Sequence, residues 1–317
     1  MNDLVVGGAG FIGSQLVDAL LAKGDFVVVL DNFLRGKMSN LADAQKNPKF
    51  VVINGDASSV DAVKTVIKKF GIEYVFHLAA NSDIQASAND PSIEFKCTAS
   101  TTWAILIAMR ETGVKNLFFA STSAVYGELG PHDSFSEDKS LLSPVSYYGG
   151  AKAASEAFIH SFSSMNDMHS LIFRFPNVIG RRLTHGVVFD FIERIKENPN
   201  ELSVFGDGTQ SKPYLHCDDL IKAILLFYKN NPVGVTLYQV GVDSCSSVRF
   251  IASSVIHEMG LDGKCQIKYG KSNVGWKGDV PHFAYSLDKI TKAGWKASMS
   301  SDEAVLLTIR EALGKEK

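Results

Sequence analysis

The sequence has 317 residues, of which 45% are hydrophobic and 21% are charged, and its formal net charge at pH 7 is −2. The length suits one large α/β domain or a large domain with a smaller lobe. The small net charge and the scattered lysines and arginines exclude a polyanion-binding surface of the kind found in nucleic-acid-binding proteins. No hydrophobic run is long enough to span a bilayer, so no membrane association is expected.

The cysteines lack metal-ligand spacing and do not form a C-x-x-C pair. They are Cys97, Cys217, Cys245 and Cys265. This usage is typical of free thiols in a reducing compartment. The chain also begins without a basic leader before its first hydrophobic run. We therefore expect a cytoplasmic protein without a bound metal.

The first half alternates short strands with helices. Continuous hydrophobic runs, typical of strands buried on both faces, predict strands over residues 4–6, 26–30, 50–53, 74–78 and 117–120. Helical spacing predicts helices over residues 11–21, 60–70 and 92–112, the last ended by Gly113. This βαβα order predicts an α/β fold with a doubly wound parallel sheet.

The second half is less regular. A helix is predicted over residues 147–165 and a sixth strand over residues 170–175. After Asn177, turns such as Gly206-Asp207-Gly208 separate short strands and helices. We therefore expect two domains, residues 1–176 and 177–317. The second is a smaller α/β lobe from which some segments return to the main sheet.

The motif Gly7-Gly8-Ala9-Gly10-Phe11-Ile12-Gly13 stands between the first predicted strand and the first predicted helix. Gly7 permits the tight turn, Gly10 lets the backbone approach a pyrophosphate, and Gly13 allows close packing of helix on strand. The helix N-terminus offers N–H groups to the anion. The motif therefore predicts a Rossmann dinucleotide-binding domain, residues 1–176.

Asp31 ends the next predicted strand. Its carboxylate can accept hydrogen bonds from both hydroxyls of an adenosine ribose and repels a 2′-phosphate, which favours NAD over NADP. Arg35 nearby is the residue that could soften this preference. A plain turn with a solvated aspartate is the alternative, and the strand–loop–helix context disfavours it.

Tyr148 and Lys152 stand four residues apart, so that both project from one face of the predicted helix. A nearby cation lowers the pKa of a phenol, and a tyrosinate is a suitable base for an alcohol proton. We expect Lys152 to lower the pKa of Tyr148 and to hold the nicotinamide ribose. Such pairs are common on helix surfaces. The dinucleotide motif and Thr122, at a strand end, favour the catalytic interpretation.

Together these motifs resemble the extended short-chain dehydrogenase/reductase family, specifically its NAD-dependent epimerase/dehydratase group and its UDP-galactose (UDP-glucose) 4-epimerase-like members. The resemblance covers nearly the whole chain. It includes Gly55-Asp56, His77-Leu78-Ala79-Ala80, residues 121–127, residues 174–180, residues 205–208 and Gly278-Asp279-Val280-Pro281.

The resemblance implies a retained NAD. Asp56 would contact the adenine, and Leu78, Ala79 and Ala80 would line the cofactor path. The cofactor-binding residues that it implies are Gly7, Gly10, Phe11, Ile12, Gly13, Asp31, Asn32, Asp56, Ala57, Leu78, Ala79, Ala80, Thr98, Tyr148, Lys152 and Phe175.

The resemblance also implies a nucleotide-sugar substrate, with a UDP-sugar favoured and a GDP-sugar as the alternative. Catalysis would use Thr122, Tyr148 and Lys152, with Thr122 bonded to the reacting sugar oxygen. Asn177 would hold the diphosphate, and Val204 and Phe205 would flank the base. The implied substrate-binding residues are Ser82, Thr122, Ser123, Tyr148, Asn177, Val187, Val204, Phe205, Lys212 and Asp279. A homodimer through the long helix around Trp103 and the Tyr–Lys helix is implied as well.

Some positions depart from the family pattern. Thr98 stands where many members have an asparagine, and Trp276, followed by Lys277, stands where a phosphate-binding arginine is expected. Lys212 likewise replaces an arginine of many members. These departures indicate a remodelled phosphate site.

The reaction follows from the residues after Thr122. The 4,6-dehydratases of the group carry an Asp-Glu pair there, and this chain has Ser123 and Ala124. Decarboxylating members need contacts for a sugar carboxylate. No clear arginine pair stands out for this, although Arg181 and Arg182 could bind it. We therefore expect a 4-epimerase that acts through a transient 4-keto sugar. A 4-dehydrogenase that releases the keto sugar is the nearest rival. A non-catalytic NAD-sensing protein is disfavoured, because Tyr148 and Lys152 are kept.

The histidines suggest other readings. We expect His77 to pack at the cofactor pocket and His185 to lie near the substrate site. His216 precedes Cys217-Asp218-Asp219, which superficially resembles a metal site. A helix that runs to Phe227, with Asp219 as its capping acid, is the favoured interpretation.

Overall fold

A computed structural model of the chain describes residues 1–81, 84–128, 135–138, 141–229, 231–271 and 285–316. The strands are β1 (Asn2–Val6), β2 (Phe26–Asp31), β3 (Phe50–Asn54), β4 (Tyr74–His77), β5 (Asn116–Thr122), β6 (His169–Phe175), β7 (Asn177–Ile179), β8 (Glu201–Val204), β9 (Ser211–Lys212), β10 (Tyr214–His216), β11 (Gly234–Gln239), β12 (Ser246–Ser247) and β13 (Gln266–Tyr269).

The helices are α1 (Phe11–Ala22), α2 (Val60–Phe70), α3 (Ile84–Asn89), α4 (Ser92–Glu94), α5 (Thr101–Thr112), α6 (Tyr147–Asn166), α7 (Val187–Glu197), α8 (Cys217–Phe227), α9 (Val248–Glu258), α10 (Asp288–Lys292) and α11 (Ser301–Ala312). No helix in the described part of the chain is long and apolar enough to cross a membrane.

Contacts divide the chain into two compact units. The first comprises Met1–Gly127, Ser140–Phe175 and Ile221–Tyr238, and the second comprises Glu128–Lys139, Pro176–Leu220 and Gln239–Lys317. Segment 221–238 thus belongs with the amino-terminal strands, although it follows residue 176 in the sequence.

The first unit contains a sheet with the strand order β11-β6-β5-β4-β1-β2-β3. Every neighbouring pair from β6 to β3 is parallel. The order reverses between β1 and β4, because the chain crosses from β3 over β2 and β1 to reach β4. The carboxyl ends of strands at such a reversal form the ligand-binding crevice of doubly wound folds. The predicted Rossmann-type fold is confirmed.

The sheet strands agree with the hydrophobic runs of the sequence. Val27 to Val29 of β2 and Leu117 to Phe119 of β5 are fully buried, as expected for strands covered on both faces. β4 ends at His77, one residue before the predicted end. The Leu78 N–H still donates to the carbonyl of Val6 at 2.9 Å, which holds the next segment beside β1.

The helix predicted over residues 92–112 is not continuous. Residues Phe95–Ser100 form a π-helical turn between α4 and α5. Such turns insert an extra residue into a helix and occur often at functional sites. The helix ends at Gly113, which adopts the left-handed conformation with φ +79°, as predicted from its position.

The second unit has its own core and small sheets. β10 pairs with β7 and β13 with β8, both in parallel, and β12 pairs with β9 in antiparallel fashion. Hydrophobic side chains of α7, α9 and α11 pack together, with Phe191, Ile251 and Ile309 among them. A capping box at Ser300 and Glu303 begins α11.

A buried carboxylate lies at the amino-terminal edge of the main sheet. Asp3 is fully buried in β1, and neither of its carboxylate oxygens has a hydrogen-bond partner among the residues that the structure describes. Burial, with a smaller contribution from Asp25, raises the pKa of Asp3 to about 7. The folded protein therefore binds this proton more tightly than the unfolded chain, whose aspartates have a pKa near 3.8.

This gives the first prediction. The contribution of Asp3 to stability falls as pH rises from about 4 through 7, because the buried carboxylate must ionise. Asp3→Asn removes the charge and raises the free energy of unfolding at pH 8 by roughly 2 kcal/mol or more. Urea denaturation at pH 5 and pH 8 measures the effect. The exposed Asp61→Asn on α2 is the control, and equal gains at both pH values for Asp3→Asn would contradict the prediction.

Candidate active site

The glycine loop follows β1 and begins α1. Gly7 has φ +80°, and a Cβ there would lie 2.7 Å from the backbone nitrogen of Ala79. A Cβ on Gly13 would lie 2.2 Å from the carbonyl oxygen of Gly7. These contacts require glycine, because backbone atoms cannot move aside as a flexible side chain can. The loop from β1 therefore touches the segment after β4 directly.

The loop fits a dinucleotide. Gly10 is the N-cap residue of α1, and no side chain caps its N–H groups. Unsatisfied N–H groups and the positive end of the helix dipole favour an anion such as a pyrophosphate. Phe11, Ile12 and Gly13 form the first turn of this helix, in agreement with their predicted place.

Asp31 ends β2 beside the glycine loop. Its carboxylate accepts hydrogen bonds from the N–H of Ala9 at 2.9 Å and from the N–H of Phe33 at 2.8 Å. The two hydrogen bonds hold the side chain in place. Asn32 is exposed, and its side-chain oxygen accepts from the N–H of Leu34 at 3.0 Å.

Gly36 was missed in the sequence. A Cβ there would lie 2.7 Å from the Cβ of Ala9 and 2.9 Å from a carboxylate oxygen of Asp31. The Lys37 N–H also donates to the carbonyl of Ala9 at 3.0 Å. The loop after β2 therefore lies against the glycine loop. The Arg35-Gly36-Lys37 stretch was the available signal, since a glycine in a loop often marks close backbone approach.

The other predicted cofactor residues flank the same strand ends. Asp56 is exposed after β3, with its side chain accepting from the Ser58 N–H at 2.9 Å, and Ala57 is buried. Leu78, Ala79 and Ala80 are partly exposed after β4. Thr98 is buried in the π-helical turn, and Phe175 is buried at the end of β6.

The catalytic candidates meet at the carboxyl end of β5. Thr122 is the last residue of β5, and Tyr148 stands in the first turn of α6. A hydrogen bond joins their side chains. A Cβ on Gly149 would lie 2.5 Å from the carbonyl oxygen of Ala124, so glycine lets α6 approach the turn after β5. Ser123, the other candidate in this turn, is buried.

Lys152 is buried beneath this pair, with 2% of its surface exposed. Its Nζ donates to the carbonyl of Ala120 at 2.6 Å and lies 4.5 Å from the centre of the Phe119 ring. The distance from Nζ to the centre of the Tyr148 ring is 6.0 Å. Burial lowers the pKa of Lys152 to about 7, although Glu94 and Glu156 act against it.

The expectation that Lys152 lowers the pKa of Tyr148 below its ordinary value is wrong. Burial, and then the negative charge of Glu94, raise the pKa of Tyr148 above its ordinary value, and the hydrogen bond from Thr122 only partly offsets them. The physical reason is that the ammonium is directed at a carbonyl and is itself destabilised by burial, which leaves little positive charge for the phenol.

A buried ion pair anchors α6. Glu156, one turn beyond Lys152, accepts from Nε and Nη2 of Arg174 on β6, the latter at 2.6 Å. Ser121 on β5 also donates to Glu156. The Tyr126 ring covers the guanidinium at 4.8 Å. Sequence reasoning missed this function of the pair, because nothing in the spacing joins residues 156 and 174.

His77 is buried at the end of β4, as expected. Its Nε2 lies 2.9 Å from the Thr102 hydroxyl, which in turn donates to Ser155 on α6. Burial, and then the nearby Lys152, hold the pKa of His77 well below its usual value. His77 is therefore a neutral member of a polar chain that links β4, α5 and α6.

The predicted substrate residues of the second unit occupy several elements. Asn177 is exposed at the start of β7, and Val187 begins α7. Val204 is buried at the end of β8, whereas Phe205 is 68% exposed beneath the Arg194 guanidinium. Lys212 lies in β9. Ser82, Asp279, Trp276 and Lys277 lie outside the described residues.

Asp219 is not a capping residue. α8 begins at Cys217, and the Asp219 carboxylate accepts from the backbone N–H and hydroxyl of Ser298 and from the N–H of Met299. It therefore ties α8 to the segment before α11. His216 is fully buried with Nε2 3.2 Å from Glu311. His185 is exposed.

Comparisons with known proteins agree with this geometry. The model of the NAD dependent epimerase/dehydratase family matches residues 4–241. A putative UDP-glucose 4-epimerase of Methanocaldococcus jannaschii is 30% identical over 309 residues, which is 95% of each chain. The crystal structure of a UDP-glucose 4-epimerase from Thermotoga maritima with UDP-glucose is similar, at 29% identity and a TM-score of 0.88 over 99% of each chain.

A related enzyme with another activity is also similar in structure. The dTDP-glucose 4,6-dehydratase DesIV from Streptomyces venezuelae, solved with NAD, has 25% identity and a TM-score of 0.89 over 99% of this chain and 97% of its own. The protein with the described glycine loop, Asp31 and Lys152 is thus an NAD-dependent enzyme. Its reaction must be argued from the residues around Tyr148.

The glycine loop gives the second prediction. Gly13→Ala places a Cβ against the backbone of Gly7, so the loop must shift at a cost of about 1–3 kcal/mol. We expect a lower melting temperature and a weaker NAD affinity, measured by calorimetry. Gly150→Ala, a helical position with no atom within 4 Å of the added Cβ, is the control for stability. Wild-type NAD affinity in Gly13→Ala would contradict the prediction.

Proposed function

The chain belongs to the NAD dependent epimerase/dehydratase family, and we propose that it is a UDP-sugar 4-epimerase that interconverts UDP-glucose and UDP-galactose through a transient 4-keto sugar. The observation that carries the proposal is the hydrogen-bonded pair Thr122 and Tyr148 above the buried Lys152. No carboxylic acid follows Thr122 in the turn.

The glycine loop, Asp31 and the segment after β4 would hold the cofactor. When bound, NAD supplies a hydride acceptor and donor for C4 of the sugar. Burial lowers the pKa of Lys152 to about 7, so its ammonium is easily lost near neutral pH. The ammonium of Lys152 has three N–H donors, and in the described structure one of them is used by the carbonyl of Ala120. The others can donate to ribose hydroxyls.

Tyr148 moves the proton of the sugar hydroxyl. Its phenolate accepts the O4 proton, and the same group returns the proton when the hydroxyl re-forms. The Thr122 hydroxyl donates to the Tyr148 oxygen, which favours the phenolate, and a lone pair of the same hydroxyl would accept from the O4 hydroxyl and orient it. Burial and Glu94 hold the pKa of Tyr148 above its ordinary value, so little phenolate is present near neutral pH, and the proposed base requires a lower pKa once cofactor and substrate are bound.

The residues beside this pair favour epimerisation over dehydration. Loss of water across C5 and C6 requires an acid and a base next to the reacting carbons, and Ser123 and Ala124 supply neither charge. Ser123 is buried in the turn after β5. A UDP-sugar is favoured because the similar 4-epimerases carry UDP-sugar names. GDP-sugars are the alternative substrates.

We also propose a cytoplasmic homodimer. The free thiols at Cys97, Cys217, Cys245 and Cys265 support a reducing compartment. Trp103 on α5 is 46% exposed and packs edge-on against Phe158 and Phe162 of α6. A large aromatic side chain left half in water on two adjacent helices supports an interface there.

The third prediction tests the reaction. With catalytic amounts of NAD, the protein should convert UDP-galactose to UDP-glucose without net NADH. Proton NMR of the sugar signals distinguishes the two isomers, and absorbance at 340 nm reports NADH. Tyr148→Phe should lower kcat by at least about 100-fold, because the proton acceptor is lost, while NAD binding persists. Tyr147→Phe, the exposed neighbour, is the control.

Two outcomes would contradict the proposal. Stoichiometric NADH with a released keto sugar identifies a 4-dehydrogenase. Absence of conversion across UDP- and GDP-sugars removes the 4-epimerase assignment altogether.

The fourth prediction concerns the dimer. Trp103→Glu introduces a charge on the α5–α6 surface and should convert a dimer to a monomer in sedimentation velocity. Leu226→Glu, on an exposed position of α8, is the control and should leave the dimer intact. A wild-type protein that sediments as a monomer would refute the homodimer.

A further inference from the structure

Glu94 is a buried carboxylate that the proposed reaction does not use. It ends α4, directly before the π-helical turn, and is 2% exposed. Its Oε1 accepts from the Asn81 side chain at 2.8 Å, and its Oε2 accepts from the Thr98 hydroxyl at 3.0 Å. Both oxygens are therefore engaged by neutral donors.

The setting of Glu94 differs from that of Glu156. Glu156 is neutralised by the Arg174 guanidinium. In the described part of the chain, no lysine or arginine forms an ion pair with Glu94. Burying a carboxylate without a cation is costly, and a hydrophobic or amide side chain avoids the cost. A role of the Glu94 carboxylate in the active site would explain why a charged residue is present at this buried position.

The partners of Glu94 belong to the cofactor wall. Asn81 follows directly after Leu78, Ala79 and Ala80, and Thr98 is itself a predicted cofactor residue. The carboxylate thus ties the segment after β4 to the π-helical turn. That turn packs against α6, the helix that carries Tyr148 and Lys152.

We propose that Glu94 is a positioning residue, whose carboxylate fixes the segment after β4 to the π-helical turn and faces Tyr148 and Lys152. The inference rests on the proposed function for its catalytic meaning. Its binding and titration consequences do not require that function.

Several charged groups shift the pKa values of Tyr148 and Lys152. Glu94 raises the pKa of Tyr148, after burial, and it is the leading group that opposes the lowering of the Lys152 pKa by burial. Glu156, on the same helix, also opposes that lowering, and His77 faces Lys152 from β4. On its own turn, Glu94 faces Cys97, whose surroundings also contain Asp56, Lys96 and Arg35.

The consequence is that Glu94 keeps protons on both groups. It favours the ammonium of Lys152, which can then hold the ribose, and it makes the Tyr148 phenolate a stronger base. Removal of the charge lowers both pKa values, so that the whole pH profile moves toward lower pH.

The test compares Glu94→Gln, which keeps the shape, with Glu94→Asp, which keeps the charge, and with the exposed control Glu111→Gln. For Glu94→Gln we expect the pH profile of kcat/KM to move to lower pH by on the order of one unit. Glu94→Asp should keep the wild-type pH profile and bind NAD more weakly, because the shorter side chain loosens the link between Asn81 and Thr98.

A second readout does not need turnover. In the NAD-free protein, the ionisation of Lys152, whose pKa is about 7, is followed by NMR of protein with isotopically labelled lysines, and Lys152→Met assigns its signal. This signal should titrate at lower pH in Glu94→Gln than in wild type. An unchanged Lys152 titration together with an unchanged NAD affinity in Glu94→Gln would overturn the proposal. An inactive wild type with the shifted titration would sink the proposed function and leave the inference standing.

Discussion

The close approach of backbone to backbone at the carboxyl ends of β1 and β4 is the constraint from which the rest of the first unit follows. Gly7 touches Ala79, and Gly13 touches Gly7, at distances that exclude any side chain. The uncapped start of α1, the fixed Asp31 and the segment after β4 all meet at this contact. A doubly wound sheet creates such a place only where its strand order reverses.

Around this contact, the first unit carries several charges in its interior. Arg174 neutralises Glu156, whereas Asp3, Glu94 and Lys152 have no such ion pair in the described structure. Asp3 lies at the opposite end of β1 from Gly7, and the burial of its carboxylate affects only the stability of the fold. Lys152 and Glu94 lie where the proposed chemistry needs charge. Burying a charge therefore only lowers stability at the amino-terminal end of the sheet, whereas at the carboxyl-terminal end it also serves the proposed reaction.

Much of the fold and of the candidate site was predictable from the sequence, because these features depend on residues that are close together in the chain. Hydrophobic runs gave the strands, the glycine spacing gave the nucleotide loop, and Tyr148 and Lys152 follow from a four-residue spacing. The Glu156–Arg174 pair, the Gly36 contact and the role of Asp219 depend on residues brought together by the fold, which periodicity does not reveal. The pKa of Tyr148 was misjudged because spacing reports that a lysine is near but not that its ammonium is buried and turned to Ala120. The π-helical turn was hidden within an ordinary helical pattern.

The position of Asp31 has a consequence for altering cofactor preference. Replacing an acid at the end of the second strand is the obvious route to an enzyme that accepts a 2′-phosphate. Here the same carboxylate also receives the N–H groups of Ala9 and Phe33 and lies against Gly36. A substitution at this one residue would loosen the main chain on both sides of it. A redesign would have to rebuild the loop over residues 33–37 as a whole.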